Sequence, residues 1–117
     1  MNSEELKKRT KQFALDTIRF VDTLPREQSC FIVGKQFLRA ATSVGANYRA
    51  ACKARSKADF ISKITIVEEE ADECQYWIEL LQQSGKCDPS ISGVLLSEAK
   101  ELTAIFTATG KTAKQRK

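Results

Sequence analysis

The side chains that could do chemistry are four cysteines and one acidic run. The cysteines are Cys30, Cys52, Cys74 and Cys87, at spacings of 22, 22 and 13 residues with no C-x-x-C pair. Structural zinc sites cluster their ligands, so convergence of all four thiols is the weaker alternative to buried, reduced cysteines. The chain has no histidine, which removes the commonest general base and any Cys-His or Ser-His pair. We therefore expect neither catalysis nor a cofactor or metal.

The acidic run is "VEEEADE", which begins at Val67. Helical spacing spreads its carboxylates around most of the helix, which favours a solvated face for Glu69 and Asp72. A carboxylate pair for acid–base work is the alternative, but no nucleophile or set of metal ligands accompanies it. Two other carboxylates of this run, Glu70 and Glu73, lie on one side of the helix together with two large apolar residues, Ile66 and Trp77.

Four helical segments must position these groups. The pattern predicts helices over about 4–24, from 27–30 to about 54, from 57 to Gly85, and from 89 to Gly110. Ser3, Ser56 and Asp88 are the expected N-caps. Loops of roughly three to six residues favour an all-α, up-down-up-down antiparallel four-helix bundle over 1–110. The basic segment 111–117 has no apolar anchor and is predicted to be a disordered tail.

Each helix carries an apolar stripe that should face the core. In the second and third helices these stripes step by three and four residues, from Gly34 to Ala51 and from Phe60 to Leu81. The predicted stripe of the first helix is Leu6, Phe13, Ile18, Phe20, Val21 and Leu24. The predicted stripe of the fourth is Ile91, Val94, Leu95, Ala99, Leu102, Ile105 and Phe106.

Charge is unevenly distributed along the 117 residues. The net charge is +4, but residues 1–57 hold 12 Lys/Arg against 5 Asp/Glu and residues 58–117 hold 7 against 10. A basic half and an acidic half indicate an anionic partner or self-association. No run of 18 apolar residues exists, which predicts no membrane span. The first residues lack the apolar centre of a signal peptide, so we expect a cytoplasmic protein.

The second helix combines a basic face with small residues. On a helical wheel its cations lie together, well away from the core stripe. The candidate nucleic-acid contacts are Lys35, Arg39, Arg49, Lys53 and Arg55. Glycine and alanine allow another helix to approach closely, within one chain or between subunits, and the sequence leaves both possibilities open. The candidate oligomer-interface residues are Gly45, Ala46, Ile66, Glu70, Glu73 and Trp77.

The stretch "FLRAATSVGANYRAACKARSKADFISKITIVEEEADECQYWIELL" (37–81) resembles bacterial four-helix-bundle proteins encoded in intervening sequences of 23S ribosomal RNA genes, also called S23 ribosomal proteins. Related proteins include the accessory protein of diversity-generating retroelements, a homopentameric barrel that binds nucleic acid and its reverse transcriptase. The resemblance implies a four-helix bundle, a homopentamer and RNA or DNA binding. An oligomeric scaffold for a protein partner, with no nucleic-acid role, is the alternative.

Overall fold

The computed structural model describes residues 1–116 and consists of four helices in an antiparallel bundle. They are α1 (Ser3–Asp22), α2 (Gln28–Ala51), α3 (Lys57–Gln83) and α4 (Pro89–Gln115). The bundle measures 50 × 20 × 19 Å. Each helix packs on its neighbours in chain order, and α4 returns to α1. The predicted fold class is confirmed.

Local capping explains where the helices begin and end. The Asn2 side chain accepts a hydrogen bond from the Glu5 amide at 2.9 Å, so α1 begins one residue before the predicted start and is capped by Asn2 rather than Ser3. Ser56 caps α3 through the Asp59 amide at 3.0 Å, and Asp88 caps α4, as predicted. After α3, Gly85 adopts φ +71°, the left-handed conformation that glycine tolerates best.

The predicted stripe of α2 is buried throughout, and that of α3 is buried from Ile64 to Leu81. Phe37 lies at the centre of the core, with its ring in edge contact with those of Phe13 and Phe20. On α1 the core also takes in Thr10 and Thr17. Their hydroxyls donate to backbone carbonyls one turn earlier, at 2.9 and 2.8 Å, so both polar groups are satisfied inside the protein.

Three predicted core residues are on the surface instead. Ile18, Ile91 and Val94 are exposed, and Val94 keeps 71% of its accessible area. The latter two lie along a groove between α1 and α4, the pair of neighbouring helices that touch least. The buried face of α4 is turned toward α3. Its buried residues are Ser92, Leu95, Ala99, Leu102 and Phe106. The prediction for these three side chains was wrong.

The fourth helix does not end at Gly110. It continues to Gln115, so the prediction of a disordered tail is wrong for residues 111–115, and Lys117 lies outside the described residues. A glycine inside a helix costs only about 1 kcal/mol relative to alanine. Here Gly110 lies close to α3, since a Cβ on it would be 3.5 Å from Ile64 Cγ2. Contact with the first part of α3 offsets that cost, so α4 continues past Gly110.

Candidate nucleic-acid interface

One end of the bundle collects most of the positive charge. The antiparallel order brings together residues 1–11, 49–63 and 108–116, which we call the basic end. Met1, Lys57 and Arg116 line one surface pocket there, which shows that the three segments meet. These segments contain 12 Lys/Arg and 3 Asp/Glu, a net charge of +9 in a chain whose total is +4. The rest of the molecule is therefore net acidic.

Most cations of the basic end are free to meet a ligand. The side chains in question are exposed and form no salt bridge within residues 1–116. They are Lys8, Lys11, Arg49, Lys53, Arg55, Lys57, Lys111, Lys114 and Arg116. A surface of this kind attracts polyanions through long-range electrostatics and counterion release.

The basic residues predicted for the second helix lie in two separate parts of the structure. Arg49, Lys53 and Arg55 lie at the basic end, whereas Lys35 lies 14 residues before Arg49, which is about 21 Å along the helix. Sequence reasoning missed the contribution of α1, whose run "KKRTK" (7–11) lies opposite the last turns of α2. The excess of cations in residues 1–57 was the available signal, but only the antiparallel pairing places the two segments side by side.

Small residues of α2 form the floor of a groove beside α1, which we call the α1–α2 groove. Its walls carry Lys7, Lys8 and Lys11 from α1 and Arg49 from α2, and Gly45 and Ala46 lie between them. The volume is about 460 Å³. A Cβ on Gly45 would lie 3.5 Å from the Thr10 backbone, so the glycine marks a close approach of two helices in one chain. Dense intramolecular packing is thus observed at this position.

Arg39 is not free, because two carboxylates of α3 hold it. Its Nη1 donates to Glu70 at 3.3 Å and its Nη2 donates to Glu73 at 2.8 Å. Glu73 also accepts a hydrogen bond from Trp77 Nε1 at 3.0 Å. The side chain of Glu70 is only 14% exposed, and desolvation raises its pKa above the usual value, while Arg39 opposes this shift. We call these four residues the Arg39 cluster.

The candidate interface residues fall on two surfaces. Gly45 and Ala46 belong to the α1–α2 groove, whereas the other four lie on the α3 flank that faces α2. On that flank Ile66 and Tyr76 are exposed, and the Tyr76 ring packs against Trp77 with centroids 5.1 Å apart. The flank therefore presents apolar surface beside the charged Arg39 cluster.

Arg39→Ala is expected to lower the free energy of unfolding by about 1–2 kcal/mol at pH 7, because it leaves Glu70 without its cation. The folded-state pKa of Glu70 is already raised, so its charge opposes folding at neutral pH and this cost disappears as Glu70 protonates. The loss of stability caused by Arg39→Ala should therefore become smaller as the pH falls toward 4.5, the usual pKa of glutamate. Urea unfolding at the two pH values measures this difference.

Arg19→Ala is the matched control, because Arg19 pairs only with Asp16 at 3.4 Å on an exposed surface. We expect an effect below about 0.5 kcal/mol there. A deficit for Arg39→Ala that is equally small, or that does not change with pH, would contradict the role assigned to Glu70.

The prediction of buried cysteines is confirmed for two of the four and is wrong for Cys52. Cys30 and Cys74 are buried and Cys87 is half-buried, but Cys52 is exposed at the end of α2. Burial raises the pKa of the Cys74 thiol well above its usual value, which keeps it protonated. Within residues 1–116 no three His, Cys, Asp or Glu side chains are arranged to hold a metal ion. No helix in that range could span a membrane.

These features define a small all-α bundle with a strongly basic end. The chain belongs to the 23S rRNA-intervening sequence protein family, whose model matches residues 3–108. A solved protein of unknown function from the S23 ribosomal protein family of Bacteroides thetaiotaomicron is 33% identical and superimposes with a TM-score of 0.86. The match covers 95% of this chain and 99% of that one. Among proteins with curated functions, none matches.

Proposed function

We propose that this protein is a homopentameric, non-catalytic accessory protein that binds nucleic acid through its basic end. The net charge of +9 on three converging segments is the observation that carries the proposal. The exposed lysines and arginines suit phosphate contacts, which give affinity that depends strongly on salt. Sequence-specific reading is not expected, because the only aromatic ring in these segments, Phe60, is half-buried against the core.

The α3 flank supports the oligomeric part of the proposal. Ile66 and Tyr76 would remain exposed beside Trp77 in a monomer, and apolar patches next to charged groups are typical of subunit contacts. In a ring with one rotation axis, every subunit has the same orientation relative to that axis. With the long axis of each bundle along the rotation axis, the five basic ends lie on the same face of the ring and act as one polyanion-binding surface.

Fluorescence anisotropy with a short RNA hairpin tests the nucleic-acid part. Arg49→Glu combined with Lys53→Glu reverses two charges of the basic end, and we expect affinity to fall at least tenfold at about 50 mM salt. Arg26→Glu combined with Lys100→Glu is the matched control, since both residues are exposed and lie outside the basic end. Both pairs lower the net charge from +4 to 0. Equal losses from the two pairs would refute the assignment to the basic end.

Light scattering tests the assembly. A particle with five times the 13.1 kDa chain mass supports the pentamer, and a monomer contradicts it. A positive charge on the α3 flank, introduced by Ile66→Lys, should lower the mass of the particle and leave helicity intact, so circular dichroism separates a lost contact from a lost fold.

A protein-scaffold role without nucleic acid is the second candidate, and the Arg39 cluster favours it. Because Glu70 and Glu73 neutralise Arg39, the middle of α2 offers less free charge than the sequence implied. The exposed acids Glu69 and Asp72 then remain available for a cationic partner. A pentamer that ignores RNA at low salt would support this candidate over the first.

A further inference from the structure

The α1–α2 groove combines charge, shape and chemistry in one place. Cations line both walls, and the single acid that lines the groove, Glu4, already pairs with Lys7 at 3.0 Å. No apolar side chain in the lining is larger than alanine. An apolar helix or peptide would find nothing to pack against, so the groove fits a narrow, polar and anionic ligand.

We propose that the α1–α2 groove holds the sugar–phosphate backbone of one nucleic-acid strand, with phosphates against Lys8, Lys11 and Arg49. This inference rests on the proposed function and assigns it a particular site. Ala46 has a specific role in it. Because its side chain ends at Cβ and is exposed, a phosphodiester can approach the helix surface there and meet cations on both walls at once.

The chemistry of the lining also limits what the groove can read. Thr42 offers no free donor, because its hydroxyl already donates to the carbonyl of Leu38 at 2.8 Å, one turn back. The donors that remain are ammonium and guanidinium groups, which contact phosphates and carry no sequence information. No aromatic side chain lines the groove, so bases have no stacking platform and should point outward. The groove therefore binds backbone without regard to sequence.

Ala46→Leu tests the groove without changing any charge. Ala46 is exposed, so leucine should fill the groove while helix propensity is kept. We expect the affinity for an RNA hairpin to fall at least tenfold, and to fall equally for a hairpin of unrelated sequence. Ala104→Leu, an exposed alanine on α4, is the matched control and should change affinity by less than twofold. Circular dichroism and light scattering of each variant accompany the binding measurements.

The outcomes separate the groove from the proposed function. If the unmodified protein binds no RNA, both fail. If it binds RNA and Ala46→Leu binds equally well, the groove is refuted while the basic end keeps its role. If Ala46→Leu lowers the oligomeric mass, the groove is a subunit contact and the assignment is wrong. A second variant, Lys8→Gln with Lys11→Gln, should weaken binding and reduce its salt dependence, and an unchanged salt dependence would also refute the site.

Discussion

Phe37→Ala is expected to lower the free energy of unfolding by about 3–5 kcal/mol. The ring is fully buried and lies between Phe13 and Phe20, with centroid distances of 6.3 and 6.1 Å and edge-on geometry. Alanine would remove the contacts that join α1 to α2 and leave a cavity that the neighbouring rings cannot fill. Edge-to-face aromatic pairs add about 0.5–1.5 kcal/mol beyond their buried area. The expected loss therefore lies toward the upper end of the range.

Phe31→Ala provides the comparison, because Phe31 is on the same helix and is 65% exposed. Its removal should change stability by less than about 1 kcal/mol. Urea unfolding followed by circular dichroism measures both variants. Domains of this size are stable by roughly 5–15 kcal/mol, so the loss is a large share of the total and Phe37→Ala should unfold at a much lower urea concentration. Similar losses for the two variants would mean that Phe37 is not the centre of the core.

The buried residues were predictable in the helices that pack closely on two neighbours. α2 packs on α1 and α3, and α3 packs on α2 and α4, so their apolar stripes face a full set of partners. α1 and α4 each pack closely on one neighbour and leave a groove between them. Their buried faces are rotated accordingly. This rotation buries Thr17 and exposes Val94, which hydrophobicity alone does not predict.

The candidate site was predictable only in part, for a related reason. A helical wheel of the predicted second helix places Arg49 and Lys53 on one face, and both are exposed in the structure, although Lys53 lies two residues beyond the end of α2. Two further facts depend on tertiary contacts between distant residues. One is that Lys8 and Lys11 line the same groove as Arg49. The other is that Arg39 is neutralised by Glu70 and Glu73, which lie 31 and 34 residues further along the chain.

Arg9→Ala is expected to lower the free energy of unfolding by about 2–3 kcal/mol, because Arg9 closes the gap between α1 and α4. Its Nε and Nη2 donate to the two oxygens of Glu98, each at 2.7 Å, and Nη2 also donates to Glu101 at 3.2 Å. The side chains of Arg9 and Glu98 are only 25% and 26% exposed. Hydrogen bonding to Glu98 raises the pKa of Arg9 above its already high value, so Arg9 stays charged.

Lys8→Ala is the control for Arg9→Ala, because Lys8 is adjacent, exposed and unpaired within residues 1–116. We expect an effect below about 0.5 kcal/mol for it. A double-mutant cycle with Glu98→Ala isolates the pair and should give a coupling energy of about 1.5–3 kcal/mol. A coupling near zero would mean that the bidentate geometry adds nothing beyond packing.

Amide hydrogen exchange can distinguish a local loss of stability at the α1–α4 contact from a general weakening of the core. α1 touches α4 little, and Arg9 bridges the two helices in a half-buried position where few other contacts join them. Without the Arg9 side chain, the first turns of α1 should unfold before the rest of the bundle does. Amide hydrogen exchange would then accelerate in the first turns of α1 while α3 keeps its protection. Acceleration that is uniform over all four helices would instead show that Arg9 stabilises the bundle as a whole.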